Sequence, residues 1–145
     1  MEQAIMKDSY ILRSFYPVIF WIINIFALFV FFKGHNAPGG GFIAGIASAI
    51  SLVFLYIIEG RKCLNRIPSP VSLAAIGLAL AYGTALAPTL MGQAFLMHTM
   101  WHLHIPLLGE LHIGTPALFD LGVYCVVIGI TVSIALWFDE ASEYE

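Results

Sequence analysis

Four long apolar stretches dominate the chain, at residues 15–32, 42–58, 71–87 and 117–138. Their apolar residues run continuously and do not alternate with polar ones, as the strands of a membrane barrel would require. A helix that crosses a bilayer needs about 20 mainly apolar residues. The pattern therefore predicts an all-α integral membrane protein, with four transmembrane helices in a single domain over residues 1–145.

Composition excludes most soluble classes of protein. Hydrophobic residues make up 60% of the chain and charged residues 10%, against about 25% charged in ordinary soluble domains. Six Lys and Arg against nine Asp and Glu give a formal net charge of -3, which disfavours nucleic-acid binding. Cys63 and Cys125 are too few for a disulfide scaffold.

The starts of the third and fourth helices carry the same local signal. Ser69 precedes Pro70, and Thr115 precedes Pro116. A hydroxyl at the N-cap accepts a hydrogen bond from a free backbone N–H, and proline at the first helical position has no N–H to leave unpaired. These pairs predict where both helices begin.

Lysine and arginine are distributed unevenly between the two sides of the predicted bundle. With four spans, one side has five of these residues and the other side has only Lys33; the five are Lys7, Arg13, Arg61, Lys62 and Arg66. Because cytoplasmic loops of membrane proteins carry an excess of Lys and Arg, we expect both termini in the cytoplasm.

Small residues recur at four-residue spacing, which predicts helices packed closely through them. Helix two carries Gly41, Gly45 and Ala49 in one such row. Helix three carries two such rows: one is Gly77, Ala81 and Ala85, and the other is Ala75, Ala79, Gly83 and Ala87. Helix four has small residues near one face, at Gly122, Gly129 and Ser133. The additional row on helix three fits either a partner subunit or internal packing.

The loop between helices one and two is rich in glycine, with three in succession at 39–41. Consecutive glycines can expose backbone amides in an anion-binding nest. One interpretation is a tight turn between antiparallel helices, with His35 and Asn36 in solvent. The other is an irregular entry into the membrane that lines a polar path, which non-helical backbone can do where protein or water covers it.

Polar groups inside the predicted spans are few. Asn24 lies near the middle of helix one, where an interhelical hydrogen bond is expected. Asp120 lies near the outer end of helix four, where it either complements the helix dipole or attracts sodium or a proton. Glu, Asp, Lys and His are missing at mid-depth in the predicted spans. We therefore expect no self-sufficient ion relay, and at most one wall of a shared path.

The outer connection contains four histidines and many apolar residues, so we expect it at the membrane interface or against a partner. His98 and His102 have the i, i+4 spacing of a helix, with His104 and His112 nearby. Such a group could hold a metal, but neither Cys nor Asp accompanies it. We therefore assign no metal, and no cofactor is expected.

Two segments carry a family resemblance. Residues 34–42 read Gly-His-Asn-Ala-Pro-Gly-Gly-Gly-Phe, and residues 114–124 read Gly-Thr-Pro-Ala-Leu-Phe-Asp-Leu-Gly-Val-Tyr. Both resemble the B subunit of Mrp-type multisubunit sodium/proton antiporters. The length of the chain, the four spans and the order of the two segments agree with that family, so the resemblance covers nearly the whole chain.

The resemblance implies a non-enzymatic subunit of a complex in a prokaryotic plasma membrane that exports sodium in exchange for protons. Its expected partners are other antiporter subunits, the lipid bilayer, sodium ions and protons. A purely structural assembly subunit and a small autonomous homo-oligomeric transporter are the alternatives. The residues expected to matter for function, on the resemblance and on their polarity, are His35, Asn36, Pro38, Gly39, Gly40, Gly41, Phe42, Asp120 and Asn24.

Overall fold

The computed structural model describes the backbone of residues 10–34, 40–60, 69–90, 92, 100–105 and 109–142. Within these ranges there are four helices, each long and apolar enough to cross a membrane. They are α1 (Tyr10–Lys33), α2 (Gly40–Glu59), α3 (Pro70–Leu90) and α4 (Thr115–Ser142). Each predicted apolar range lies inside one of them, so the prediction of four helical candidate spans is confirmed.

The start of α3 has the capping geometry that its sequence predicts. The backbone N–H of Ser72 donates to Ser69 Oγ at 3.2 Å, and the N–H of Leu73 donates to the Ser69 carbonyl at 3.0 Å. Pro70 is the first residue of the helix. At the other predicted start, Thr115 is the first residue of α4 and Pro116 the second.

The four helices contact one another in a row. Extensive contacts join α1 to α2, α2 to α4, and α4 to α3. The order across the row is therefore α1–α2–α4–α3, with α1 and α3 at its two ends. The central helix α2 buries most of its small residues; its buried positions are Gly40, Gly41, Ala44, Gly45, Ser48, Ala49, Ser51, Tyr56 and Ile58.

Glycine allows α3 and α4 to approach until their backbones touch. A Cβ added at Gly77 would lie 2.6 Å from the carbonyl oxygen of Gly122, and one added at Gly129 would lie 2.6 Å from the backbone nitrogen of Ala74. Real Cβ atoms do not approach so closely, so neither position accepts a larger residue without a shift of the backbone. The prediction that the helices pack through small residues is confirmed.

Only one of the two small rows on α3 takes part in this packing. Gly77, Ala81 and Ala85 are buried, whereas the second row faces away from α4, at Ala75, Ala79, Gly83 and Ala87. Among the described residues, no atom lies within 4 Å of a Cβ added at Gly83. Of the two interpretations, internal packing within the chain therefore explains one row and leaves the other open.

The outer connection contains a hairpin that the all-α prediction did not include. Strand β1 (Met100–Ile105) pairs antiparallel with β2 (Gly109–Gly114). Histidines and apolar residues alternate strictly over 101–105, which matches the two-residue period of a strand. The helical spacing noted for His102 therefore does not apply, because His102 lies in β1; His98 lies outside the described residues.

Candidate functional site

The ends of α1 and α2 meet at two glycines. A Cβ added at Gly40 would lie 2.5 Å from the Cα of Gly34 and 3.2 Å from its nitrogen. The chain thus leaves α1 and enters α2 at almost the same place, as expected for a turn between antiparallel helices. Four of the predicted site residues fall between these glycines and lie outside the described residues: His35, Asn36, Pro38 and Gly39.

Gly41 brings the two sequence segments of interest into contact. A Cβ at this position would overlap the carbonyl oxygen of Asp120 and would lie 2.9 Å from its carbonyl carbon. One helical turn further on, a Cβ at Gly45 would lie 3.2 Å from the carbonyl oxygen of Tyr124 and 2.9 Å from the Cβ of Val127. The glycine row of α2 therefore rests directly on the backbone of α4.

Two other predicted site residues flank this contact without being buried by it. Phe42 follows Gly41 and is 51% exposed, although its side chain is large and apolar. Asp120 is half-buried, and it meets Gly41 through its main chain. The side chains of both residues therefore remain available to something other than the packing of α2 on α4.

A chain of hydrogen bonds, here called the polar seam, joins α1, α2 and α4 through Asn24, Ser51, Ser48 and Tyr124. Asn24 Nδ2 donates to Ser51 Oγ at 2.9 Å and to the Phe20 carbonyl at 2.8 Å. Ser51 Oγ donates to the Ser48 carbonyl at 2.8 Å, and Tyr124 donates its hydroxyl to Ser48 Oγ at 2.9 Å. The expected interhelical hydrogen bond of Asn24 is present.

The polar seam lies at the middle of the span. Ser48 and Ser51 are each eight residues from one end of α2, which is about 12 Å at 1.5 Å per residue. They are 2% and 0% exposed. The Tyr16 hydroxyl donates to the Ser51 carbonyl, and the ring of Tyr124 meets that of Phe31 edge to face, with centroids 5.7 Å apart.

The chemistry of the polar seam is that of neutral hydrogen-bonding groups. In the described part of the chain, every buried side-chain nitrogen or oxygen has a hydrogen-bond partner. Inside a bilayer an unpaired polar group costs several kcal/mol, so these bonds make a polar interior tolerable and fix how α1 and α4 turn toward α2. Such groups can solvate a passing ion but carry no charge to exchange.

The far ends of α2 and α4 are joined by a second polar contact. The hydroxyl of Tyr56 donates to Asp139 Oδ2, and Tyr56 is buried while Asp139 is half-buried. Together with the Gly41 contact at the opposite end, this bond holds α2 and α4 in register along their whole shared length.

Of the cysteines and histidines singled out in the sequence, Cys125 is the one whose side chain the structure describes. Cys125 is a free, half-buried thiol in α4, and a Cβ added at Gly77 would meet its side chain. Cys63 and His98 lie outside the described residues. Among the residues whose side chains are described, no group of three or more His, Cys, Asp or Glu could hold a metal ion.

A family profile described as a domain related to the MnhB subunit of Na+/H+ antiporter matches residues 11–133. The B subunit of the Na(+)/H(+) antiporter of Bacillus subtilis (strain 168) is 39% identical over 130 residues, which are 88% of this chain and 90% of that protein. The B subunit of the Na(+)/H(+) antiporter of Alkalihalophilus pseudofirmus is 37% identical over 136 residues, which are 92% of this chain and 94% of that protein. The chain belongs to the MnhB family. Its class is therefore that of transporter subunits and not of enzymes.

The MnhB match begins at the second residue of α1 and ends about two thirds of the way along α4. It therefore includes both segments that meet at Gly41 and Asp120. The resemblance in the sequence is thus confirmed at the level of the family.

Sequence reasoning missed most of the polar seam, because Ser48, Ser51 and Tyr124 carry no charge and belong to no polar cluster in the sequence. A signal was present: two serines three residues apart lie on one face of a helix, in a span whose other residues are almost all apolar. Asn24 on the preceding helix needed a partner, and this face of α2 could supply it.

Proposed function

We propose that this chain works as the B subunit of a multisubunit sodium/proton antiporter in the plasma membrane of a prokaryote. The observation that carries the proposal is the MnhB match over residues 11–133, supported by four candidate membrane spans, the last of which extends to Ala141. Within such a complex the four helices act as a single membrane domain whose partners are the other subunits, the lipid bilayer, sodium ions and protons.

Deletion of the gene tests this proposal. Everted membrane vesicles from the deletion strain should show no sodium-dependent proton movement, although the large antiporter subunits are still present on immunoblots. Supplying the intact gene in trans should restore the exchange. Normal exchange in vesicles that lack this chain would refute the proposal.

We also propose that both termini lie in the cytoplasm. The charge distribution supports this orientation, since Lys33 is the single Lys or Arg on the side of the α1–α2 loop. Lys33 Nζ lies 5.7 Å from the centroid of the Phe29 ring, one helical turn earlier, which is within the range of a cation–π contact. A fluorescent protein that folds only in the cytoplasm should fluoresce when it is fused to the C-terminus.

The proposed role of the site is to form one wall of an ion path that other subunits complete. The start of α2, which follows the predicted segment from His35 to Gly39 in the sequence, lies at the same end of the molecule as the start of α4, because Gly41 rests on Asp120. The half-buried Asp120 supplies a carboxylate there, and the exposed Phe42 supplies an apolar surface beside it. The polar seam with Asn24 continues inward from this end.

A purely structural role is the second candidate, and one observation favours it. All the buried side-chain polar atoms of the seam are engaged in hydrogen bonds, and the described spans hold no carboxylate or amine at that depth. The two roles differ in what happens when Phe42 is truncated: an ion-path residue changes the kinetics of an assembled complex, whereas an assembly residue changes the amount of complex.

An autonomous homo-oligomeric transporter fits the fold less well. The described spans hold no carboxylate or amine at mid-depth, which a transporter working without other subunits would need in order to exchange a proton. The purified chain in liposomes should therefore show no sodium-driven proton flux. Flux from the chain alone would establish this third role and would overturn the role within a larger complex.

The second small row of α3 is the proposed contact for a neighbouring protein of the complex. It is here called the outward-facing small row and consists of Ala75, Ala79, Gly83 and Ala87. Because successive residues are about 100° apart around a helix, Ala75 and Ala79 lie about 200° from Gly77, on the side of α3 away from α4. Small residues allow a second helix to approach closely in lipid, where apolar surface alone gives no driving force. α3 also stands at the end of the row, so nothing in the described part of this chain competes for that side.

A further inference from the structure

An apolar groove lies where the first half of α1 meets α2. Its volume is about 370 Å³, and within the described part of the chain apolar atoms alone form its surface. Phe54 lines it from α2. The other lining residues of this α1–α2 groove belong to α1: Ile11, Leu12, Phe15, Tyr16, Ile19 and Ile23.

The groove has a closed floor and an open rim. Tyr16 is buried at the floor, and its hydroxyl donates to the Ser51 carbonyl. The one polar atom among the lining side chains is therefore occupied by α2. Ile11 and Phe15 are large, apolar and exposed, and α1 lies at the end of the helix row. The rim is thus open to whatever surrounds the bundle.

The groove extends through one leaflet of a bilayer. Arg13 and Lys33 are 20 residues apart on α1 with no charged residue between them, which is about 30 Å and equals the thickness of the hydrocarbon core. These two residues therefore mark the two headgroup levels. From Ile11 to Ile23 the groove extends for about 18 Å, from one headgroup level to the middle of the span.

The lining and the dimensions of the groove select its occupant. A surface without polar atoms offers water no hydrogen-bond partner, and the close packing typical of proteins disfavours an empty space. The volume spread over this length gives a mean cross-section of about 20 Å². An α-helix is about 10 Å in diameter, with a cross-section of about 80 Å². The groove therefore fits a single hydrocarbon chain and is too narrow for a helix of another protein.

The charge at the end of the groove indicates which lipid supplies this chain. Arg13 is exposed and directly follows Leu12, so it lies at the headgroup end of the groove. A guanidinium pairs well with a phosphate through two N–H groups, and basic residues at headgroup level attract anionic lipids. We propose that the α1–α2 groove holds one acyl chain of an anionic phospholipid, whose phosphate pairs with Arg13.

The bound lipid fills the space between α1 and α2 and is separate from the proposed ion path. Phe54 is 12 residues from Phe42 on α2, about 18 Å along the helix. The inference rests on the groove and on the candidate membrane spans, and it does not depend on the proposed antiporter function.

The test uses the full chain, reconstituted in vesicles of equal parts phosphatidylglycerol and phosphatidylethanolamine and then extracted with a mild detergent. Native mass spectrometry should show one phospholipid retained per chain. A basic residue near the headgroups contributes about 1 kcal/mol, so phosphatidylglycerol should be retained about fivefold more often than phosphatidylethanolamine. A chain that retains no phospholipid, or retains both lipids equally, would overturn the proposal.

Three variants locate the lipid. Arg13→Gln should abolish the preference for phosphatidylglycerol, and a preference that persists would exclude the Arg13 contact. Ile19→Trp fills the groove and should remove most of the retained lipid. Val18→Trp is its matched control, because Val18 is exposed at almost the same depth and does not line the groove. Equal retention by the two tryptophan variants would show that the lipid binds elsewhere and would overturn the proposal.

A crosslinking experiment keeps the result independent of the folding of these variants. Phe15 at the rim is replaced by benzoylphenylalanine, a photoreactive residue of similar shape, and intact cells are irradiated. The purified chain should carry a covalently attached phospholipid that is visible by mass spectrometry. A crosslink to another protein, or a chain without attached lipid, would overturn the assignment.

Discussion

The backbone of Gly41 lies directly against the peptide carbonyl of Asp120, with no room for a Cβ between them. These residues are 79 positions apart in the sequence, yet the start of α2 and the start of α4 meet there. The described parts of the two segments that resemble the antiporter family therefore meet at one end of the molecule.

Gly41→Ala should destabilise the chain. The added methyl group overlaps the Asp120 carbonyl, so α2 and α4 have to move apart, and overpacking of this kind costs about 1–3 kcal/mol. The measurement is unfolding of the purified chain in detergent, followed by circular dichroism.

Gly83→Ala is the control for this prediction, because the structure describes no atom within 4 Å of a Cβ there. Alanine is also the better helix former by up to about 1 kcal/mol. The control variant should be as stable as the unaltered chain, or more so. Equal losses from both substitutions would contradict the packing described here.

The bond between Asn24 and Ser51 should be measurable as a coupling free energy. Ser51→Ala removes the acceptor at 2.9 Å, although Asn24 keeps its bond to the Phe20 carbonyl. Hydrogen bonds between membrane helices average about 0.6 kcal/mol and reach about 1.7 kcal/mol. A double-mutant cycle with Asn24→Ala and Ser51→Ala should give a value in that range, and zero coupling would show that the seam does not connect α1 to α2.

Phe42→Ala should change sodium-dependent antiport in an assembled complex. Phe42 is 51% exposed, so truncation removes little packing inside the chain but alters the surface beside the proposed path. We expect at least about a twofold change in apparent sodium affinity or maximal rate, a difference of about 0.4 kcal/mol, in everted vesicles with normal subunit content on native gels.

Phe54→Ala is matched to this change, since Phe54 is on the same helix and has the same exposed fraction of 51%. It should leave antiport kinetics unchanged. If Phe42→Ala has normal kinetics, or only lowers the amount of complex, the structural role replaces the ion-path role.

Asp120→Asn tests whether the carboxylate attracts sodium. The contact with Gly41 is made through the main chain of Asp120, so the amide should preserve the packing of α2 on α4. Loss of the charge should raise the sodium concentration for half-maximal exchange about fivefold, which corresponds to ~1 kcal/mol, the energy of a well-hydrated charge pair.

Glu140→Gln removes an exposed acid near the opposite end of α4 and serves as the comparison for Asp120→Asn. The half-maximal sodium concentration of this variant should match that of the unaltered complex. An equal rise in both variants would mean that general surface charge, and not the position of Asp120, is responsible.

Ala79→Trp should prevent a neighbouring protein of the complex from packing on α3. The adjacent substitution Leu78→Trp is the control, because Leu78 is 62% exposed at almost the same depth but on a different side of the helix. Both chains should insert and fold normally. On native gels the first variant should lose most of the assembled complex and the second should keep it; equal assembly would exclude the outward-facing small row as an interface.

Much of the fold follows from local sequence. The four spans are set by length and continuous apolarity, which the bilayer imposes on any spanning helix. Ser69 and Pro70 mark the start of α3 because capping depends only on adjacent residues. The need for close packing at Gly77 and Gly41 is visible too, since small residues in a span allow neighbouring backbones to approach.

The contacts of the candidate functional site follow less directly from local sequence. Asn24 indicates a need for a partner, but the identity of that partner depends on how α1 turns against α2. The outer hairpin was missed because its alternation extends over only 6 residues in each strand, and the i, i+4 spacing of two histidines suggested a helix there.

The amino-acid order sufficed to establish that this chain belongs in a membrane, how many times its helices can cross it, and to which family it is related, because hydrophobic length and signature segments are local properties. Packing settled the remainder: which small row of α3 faces α4, that Gly41 meets Asp120, and that Asn24 and Tyr124 share a pair of serines. Those outcomes depend on the order and rotation of helices in the row, which arise from the sum of many weak contacts between distant segments.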